Sequence, residues 1–174
     1  MKLKLVFQTA INAPRQKTQA IIKRAAAQAG IEIELKSTSA SAYFSSDPAN
    51  VDTAAHFNAD LQMYAVFMGA PDPEGLMRQF TSGEVAARAN KWQRRNVTRF
   101  RSEEYDRLFR AAEIELDPAK RASLFIRMND LIVQQTIVAP IAWRGQVAAV
   151  SNRLKDVVRS GWESDVWRLA WWHT

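Results

Sequence analysis

The sequence predicts an α/β domain, a mixed sheet flanked by helices, and three observations predict it. Residues 2–36 alternate in polarity, then run at helical spacing, then alternate again. Residues 60–68 are nearly all apolar, as expected of a strand covered on both faces. Between Ser102 and Ile132 lie two amphipathic stretches, each behind a capping residue.

The elements follow in order. Leu3, Leu5 and Phe7 alternate with Lys2, Lys4 and Val6, the period of a strand. Asn12 and Pro14 mark a helix start. Thr18, Ile21, Ile22, Ala25, Ala26 and Ala29 keep helical spacing up to Gly30, a residue suited to the left-handed position behind a helix. Ile31, Ile33 and Leu35 then alternate with Glu32, Glu34 and Lys36. Such a β-α-β unit has parallel strands and a right-handed crossover. Residues 38–58 lose periodicity, and Asp47-Pro48 marks a loop with a short helix near Tyr43 and Phe44. A third, well-buried strand is expected over residues 60–68, stopped by Gly69, Pro71 and Pro73. A short helix near residues 74–81 precedes a polar segment without a clean period.

Ser102 then caps a helix burying Tyr105, Leu108, Phe109 and Ala112, and Asp117-Pro118 starts another burying Leu124, Phe125, Met128, Leu131 and Ile132. Residues 138–143 and 147–150, around Gly145, read as two further strands, and the tail is rich in tryptophan. In an open α/β sheet ligands bind at the carboxyl ends of strands, which here points to residues 68–72.

Composition narrows the function. A chain of 174 residues buries one good core, and without cysteine there is no disulfide, thiolate nucleophile or thiolate metal site. The first ten residues alternate rather than form a signal-peptide core, and no apolar run approaches the roughly 18 to 20 residues of a membrane helix. His56 and His173 stand in no ligand-spaced motif and read as ordinary surface or loop residues; no phosphate-cradling glycine string occurs either. The expectation is therefore no enzyme, no metal and no cofactor. Glu103, Glu104 and Asp106 sit in a helix's first turn, where negative charge favours the dipole.

Two features stay open. Lys91, Arg94, Arg95, Arg99 and Arg101 are interleaved with Trp92 and Phe100, which fits a nucleic-acid-binding module using residues 91–101. The stretch fits better a solvated face paired with Glu103, Glu104 and Asp106 in the acidic turn, so no nucleic-acid partner is expected. Trp162, Trp167, Trp171 and Trp172 suit a ligand platform, a core or an interface.

Three stretches also carry a family resemblance. LKLVFQT with RQKTQAIIKRAAAQAGIEIELKS is one, and DLQMYAVFMGAPDPEGLM another. The most specific is NVTRFRSEEYDRLFRAAEIELDPAKRASLFIRMNDLIVQQTIVAPIAW, with Asn96, Tyr105-Asp106, Asp117 to Arg121 and Pro140-Ile141 in order. Together they resemble the third domain and C-terminal end of extracellular solute-binding proteins of oligopeptide and dipeptide ABC transporters. The resemblance implies a periplasmic-binding-protein type II-like lobe, with residues 1–146 as the ligand-binding lobe and 147–174 as a segment returning to the other lobe. It implies a periplasmic receptor, its signal peptide removed with an N-terminal part, that closes on a peptide or related solute and delivers it to ABC permease subunits. The missing N-terminal lobe of the same protein is then an expected partner. Ala65, Val66 and Phe67 are expected along the ligand by strand addition, Gly69 and Asp72 at its edge, and Trp143 on a re-entering strand. One residue departs from the pattern: oligopeptide binders carry an aspartate for the ligand's amino terminus where this chain has Gly69, leaving Asp72 as a substitute. Relatives of this fold take sugars, opines and nickel complexes as well as peptides.

Overall fold

A computed structural model describes residues 2–143, 145, 147–162 and 166–174. The chain forms two compact units. The first holds the residues up to Val66 together with Arg78–Arg107, and the second Phe67–Met77 with Leu108–Thr174.

The first unit is built on β1 (Lys4–Ala10), α1 (Ala13–Gln28), β2 (Glu32–Thr38), α2 (Ala40–Tyr43) and β3 (Leu61–Met63). The sheet order is β2-β1-β3 and both pairings are parallel, with Lys4 opposite Glu32 and Phe7 opposite Leu61. β1 is central, which is why Phe7, Gln8, Thr9 and Ala10 are all buried. The Asn12 side chain accepts the Arg15 amide at the start of α1, and Gly30 takes φ +79 after its end, as their chemistry predicts. α1 turns Thr18, Gln19, Ile22 and Ala26 inward, and Gln19 Nε2 donates to the Phe7 carbonyl at 2.7 Å. Ile21 and Ala25, expected in the same stripe, are exposed, because the buried glutamine fixes the helix one position out of that phase.

Two expectations are corrected. β3 covers only three residues of the predicted 60–68 strand, and residues 65–67 are exposed in irregular backbone. β1 ends at Ala10, one residue past the partner of Met63, so it has no room to pair with a strand running on to residue 68. Residues 138–143 are not a strand, nor are 147–150, so the sheet among the described residues is wholly parallel rather than mixed. Their backbones find no partner strand, and Val138, Ile141, Trp143, Val147 and Val150 stay exposed. Arg144 and Gln146, between these two runs, lie outside the described residues.

The second unit carries α3 (Glu74–Met77), the body of α4 (Glu103–Ile114), which begins in the first unit, and α5 (Pro118–Gln134). Tyr105 N donates to Ser102 Oγ at the start of α4, and Asp117 accepts the Ala119 and Lys120 amides at the start of α5. Leu108, Phe109, Ala112, Phe125, Met128 and Ile132 are buried, a face predicted by the periodicity; Leu124 and Leu131 are only partly covered. Arg121 Nε reaches the Ala112 carbonyl at 3.0 Å and its guanidinium lies 4.7 Å from the Phe125 ring centre.

Candidate functional site

The candidate segment begins where β3 ends. Thr9 Oγ1 donates to the Met63 carbonyl at 2.6 Å, and Asp60 closes the other end by accepting the Val6 amide at 2.7 Å. β3 is an edge strand, with β1 on one side and no strand on the other among the described residues. Residues 65–69 then make no backbone hydrogen bond among the described residues. Ala65 and Val66 close the first unit, Val66 being 55% exposed, and Phe67, 66% exposed, opens the second. Apolar side chains and unpaired peptide groups thus occur together in one short stretch, a combination costly in an isolated chain and useful for strand addition.

Behind this segment, in the first unit, polar groups have unspent hydrogen-bonding capacity. Gln8 and Gln62 are register partners on neighbouring strands and so share a sheet face. Gln8 Nε2 donates to Thr38 Oγ1 and to the Asp52 carbonyl, whereas its Oε1 is buried without a partner. Both polar atoms of the Gln62 amide and the Tyr43 hydroxyl are buried and likewise unmatched. The Tyr43 and Tyr64 rings meet edge-on at 6.4 Å. Burial pushes the Tyr43 hydroxyl far above its usual range, with the neighbouring Tyr64 adding to the shift, and burial raises Tyr64 as well. Both phenols therefore stay neutral hydrogen-bonding groups at physiological pH. Sequence reading missed this cluster; its one signal was the glutamine inside the apolar run LQMYAVFM.

In the second unit Gly69 has ordinary negative-φ backbone, and an added Cβ would meet only the Phe67 ring at 3.7 Å. Glycine is therefore not a steric necessity there. Asp72 is exposed yet engaged: Arg121 grips it at 2.7 and 3.3 Å, and it accepts the Glu74 amide at 2.9 Å. Glu74 adds a second carboxylate to Arg121 at 3.3 Å. The Arg121 hydrogen bond, followed by the Glu74 amide, holds the Asp72 carboxyl below the usual carboxylate range. This geometry makes Asp72 a clamp between α3 and α5, with little left over for a ligand's ammonium group. Trp143 is 93% exposed and lies on irregular chain.

His56 is buried rather than on the surface: its Nδ1 lies 2.9 Å from Thr53 Oγ1 and its ring stacks on Trp92 at 4.4 Å. His173 is exposed and 3.4 Å from Asp156. No group of three or more metal-ligating side chains occurs among the described residues. The aromatic residues of the basic stretch are occupied internally. Trp92 carries His56 and the Arg99 guanidinium, and Phe100 is buried edge-on against Tyr105. They offer no free stacking platform for nucleic-acid bases.

No protein-family model and no curated protein matches this chain. Solved structures do share its fold. The oligopeptide binding protein from Thermus thermophilus complexed with pentapeptide aligns at TM-score 0.65 with 20% identity, over 78% of this chain and 23% of that one. NikZ from Campylobacter jejuni in complex with Ni(L-His) aligns at 0.70 with 12% identity, over 99% of this chain and 33% of its own. The oligopeptide-binding protein AppA from Bacillus subtilis in complex with a nonapeptide aligns at 0.63 with 15% identity, over 99% and 32%. The chain has the α/β fold of part of these binding proteins and spans between about a quarter and a third of their length.

Proposed function

We propose that this chain is one lobe of the substrate-binding component of an ABC importer, which captures a peptide or related small solute in an interlobe cleft and delivers it to a membrane permease. On this reading the protein works in the periplasm and makes or breaks no bond. Residues 1–146 supply one wall of the cleft, residues 147–174 return to an N-terminal lobe, and that lobe supplies the rest. The observation that carries the reading is the unpaired stretch 65–69 past the carboxyl end of β3, exposed at Ala65, Val66, Phe67 and Gly69, in a fold shared with peptide and nickel-complex binders.

Ala65, Val66 and Phe67 then lie along the ligand, offering backbone groups to an extended peptide and apolar side chains to its neighbours. Gly69 and Asp72 border it, and the bare Trp143 side chain is covered when the second lobe is present. Because Asp72 is committed to Arg121, the charged anchor for a peptide amino terminus is weak or absent, and solutes without a free amino terminus suit the site equally.

Calorimetric titration of peptide mixtures and of nickel-histidine against the 174-residue chain and against the two-lobed parent tests the reading. Tight binding by the parent and weak or undetectable binding by the chain alone is expected; equal, tight binding by both would sink it. Mass spectrometry of solutes co-purifying with the parent identifies the ligand class. Gly69→Asp restores a carboxylate without steric conflict and is expected to change folding stability by less than about 0.5 kcal/mol. In the parent it should tighten binding of peptides with free amino termini over acetylated ones, read by the same titration.

A further inference from the structure

The loop over residues 85–101 of the first unit includes none of the residues placed along the ligand, and it carries six basic side chains and no acidic one. Arg88, Lys91, Arg94, Arg95, Arg99 and Arg101 lie within it, with Glu84 just before it and Glu103, Glu104 and Asp106 just after, in a chain of net charge +6. The loop is held firmly. Asn96, buried, donates to the Thr81 and Phe100 carbonyls at 3.1 and 2.9 Å, and Asn90 donates to the Val85 carbonyl at 2.8 Å. Gln93 reaches the Ser46 carbonyl and Arg99 the His56 carbonyl. Lys91, Trp92 and Arg99 take φ values of 53, 60 and 59, a left-handed conformation that bulky residues adopt only when their surroundings impose it.

Neutralisation is incomplete. Glu84 pairs with Arg94 at 3.1 Å, and Asp106, expected to face the basic side chains, instead accepts the Ser82 amide. Arg88, Lys91, Arg95 and Arg101 are exposed and form no ion pair among the described residues.

We propose that this loop docks on the phosphate groups of an anionic phospholipid surface. Arginine predominates, and its planar fork matches phosphate oxygens in pairs. Trp92 and Phe100 are turned to internal partners, so the contact is electrostatic rather than base-stacking, which favours a lipid surface over single-stranded nucleic acid. The choice of a membrane as partner rests on the importer reading above.

Cosedimentation of the chain with phosphatidylglycerol-containing vesicles, against phosphatidylcholine vesicles and across a sodium chloride series, tests it. Binding to the anionic vesicles alone, lost at high salt, is expected. The triple variant Arg88→Gln/Arg95→Gln/Arg101→Gln should bind at least about tenfold more weakly. Lys17→Gln/Lys23→Gln/Arg24→Gln, on the exposed side of α1, removes the same charge elsewhere and should lose less than about threefold, with circular dichroism confirming that both variants fold. No binding at low salt, equal losses in both triples, or preference for an oligonucleotide or polyglutamate over the vesicles would overturn the proposal. Solute titration of the parent reads the importer function separately: vesicle binding lost with solute capture intact removes only the docking surface, and the converse removes only the importer reading.

Discussion

At the scale of single residues, position in the hydrogen-bond network outweighs residue type. Asp72 has the chemistry of a ligand anchor but is held by Arg121 and the Glu74 amide. Its folded pKa is lowered, so its stabilising contribution is complete above the unfolded value of about 3.9 and disappears as pH falls through the folded value. Asp72→Asn should cost no more than about 1 kcal/mol at pH 7, since its carboxylate is solvent-exposed, and the gap to wild type should begin to close below about pH 4 in urea titrations. Gln62 is the opposite case, a buried amide with nothing to bond. Gln62→Leu removes an unmatched donor and acceptor and should raise the urea midpoint, by about 1 kcal/mol of stability. A fall instead would show that the amide holds something beyond the protein's own groups. Neither result was legible in the sequence, because carboxylates and amides are read by type there while their partners lie far along the chain.

At the scale of elements, the legible parts were those set by local rules. Asn12, Gly30, Ser102 and Asp117 punctuate helices where capping chemistry puts them, and the β1-α1-β2 unit is parallel as its connection requires. Gly30→Ala tests one such rule cleanly: nothing lies within 4 Å of the added Cβ, so the expected loss of about 1 kcal/mol in thermal or urea unfolding is purely conformational. What failed was pairing. Residues 60–68, 138–143 and 147–150 have strand composition, but a strand exists only where a neighbour supplies donors and acceptors, and among the described residues of these runs that holds for Leu61–Met63 alone. The candidate segment is apolar but exposed at residues 65–67, where the sequence predicts a buried strand.

At the scale of the whole molecule, the tryptophans report on what surrounds the chain. Trp143, Trp162, Trp167 and Trp171 are exposed, whereas Trp92 and Trp172 are partly covered. Arg168 lies 5.6 and 5.7 Å from the ring centres of Trp167 and Trp171, which orders the tail without hiding it. Acrylamide should quench most of the fluorescence of the dilute chain, and Trp143→Phe should remove much of the quenchable part. Sedimentation should show association as concentration rises, because so much bare aromatic surface seeks cover. Strict monomers with poorly quenched emission would contradict this.

The placement of β1 between two parallel neighbours also dictates an order of assembly. β2 pairs with β1 across a single helix, from position 4 to 32, whereas Thr9 meets Met63 at a separation of 54 residues. Closing the longer loop costs more chain entropy before any contact repays it, so the nucleus is expected in the first β-α-β unit, with β3 joining late. Ile33→Val should therefore slow refolding, while Met63→Ala should leave it nearly unchanged and accelerate unfolding, in stopped-flow denaturant jumps. The strand that leads into the exposed stretch 65–69 is then the last to arrive and the first to leave.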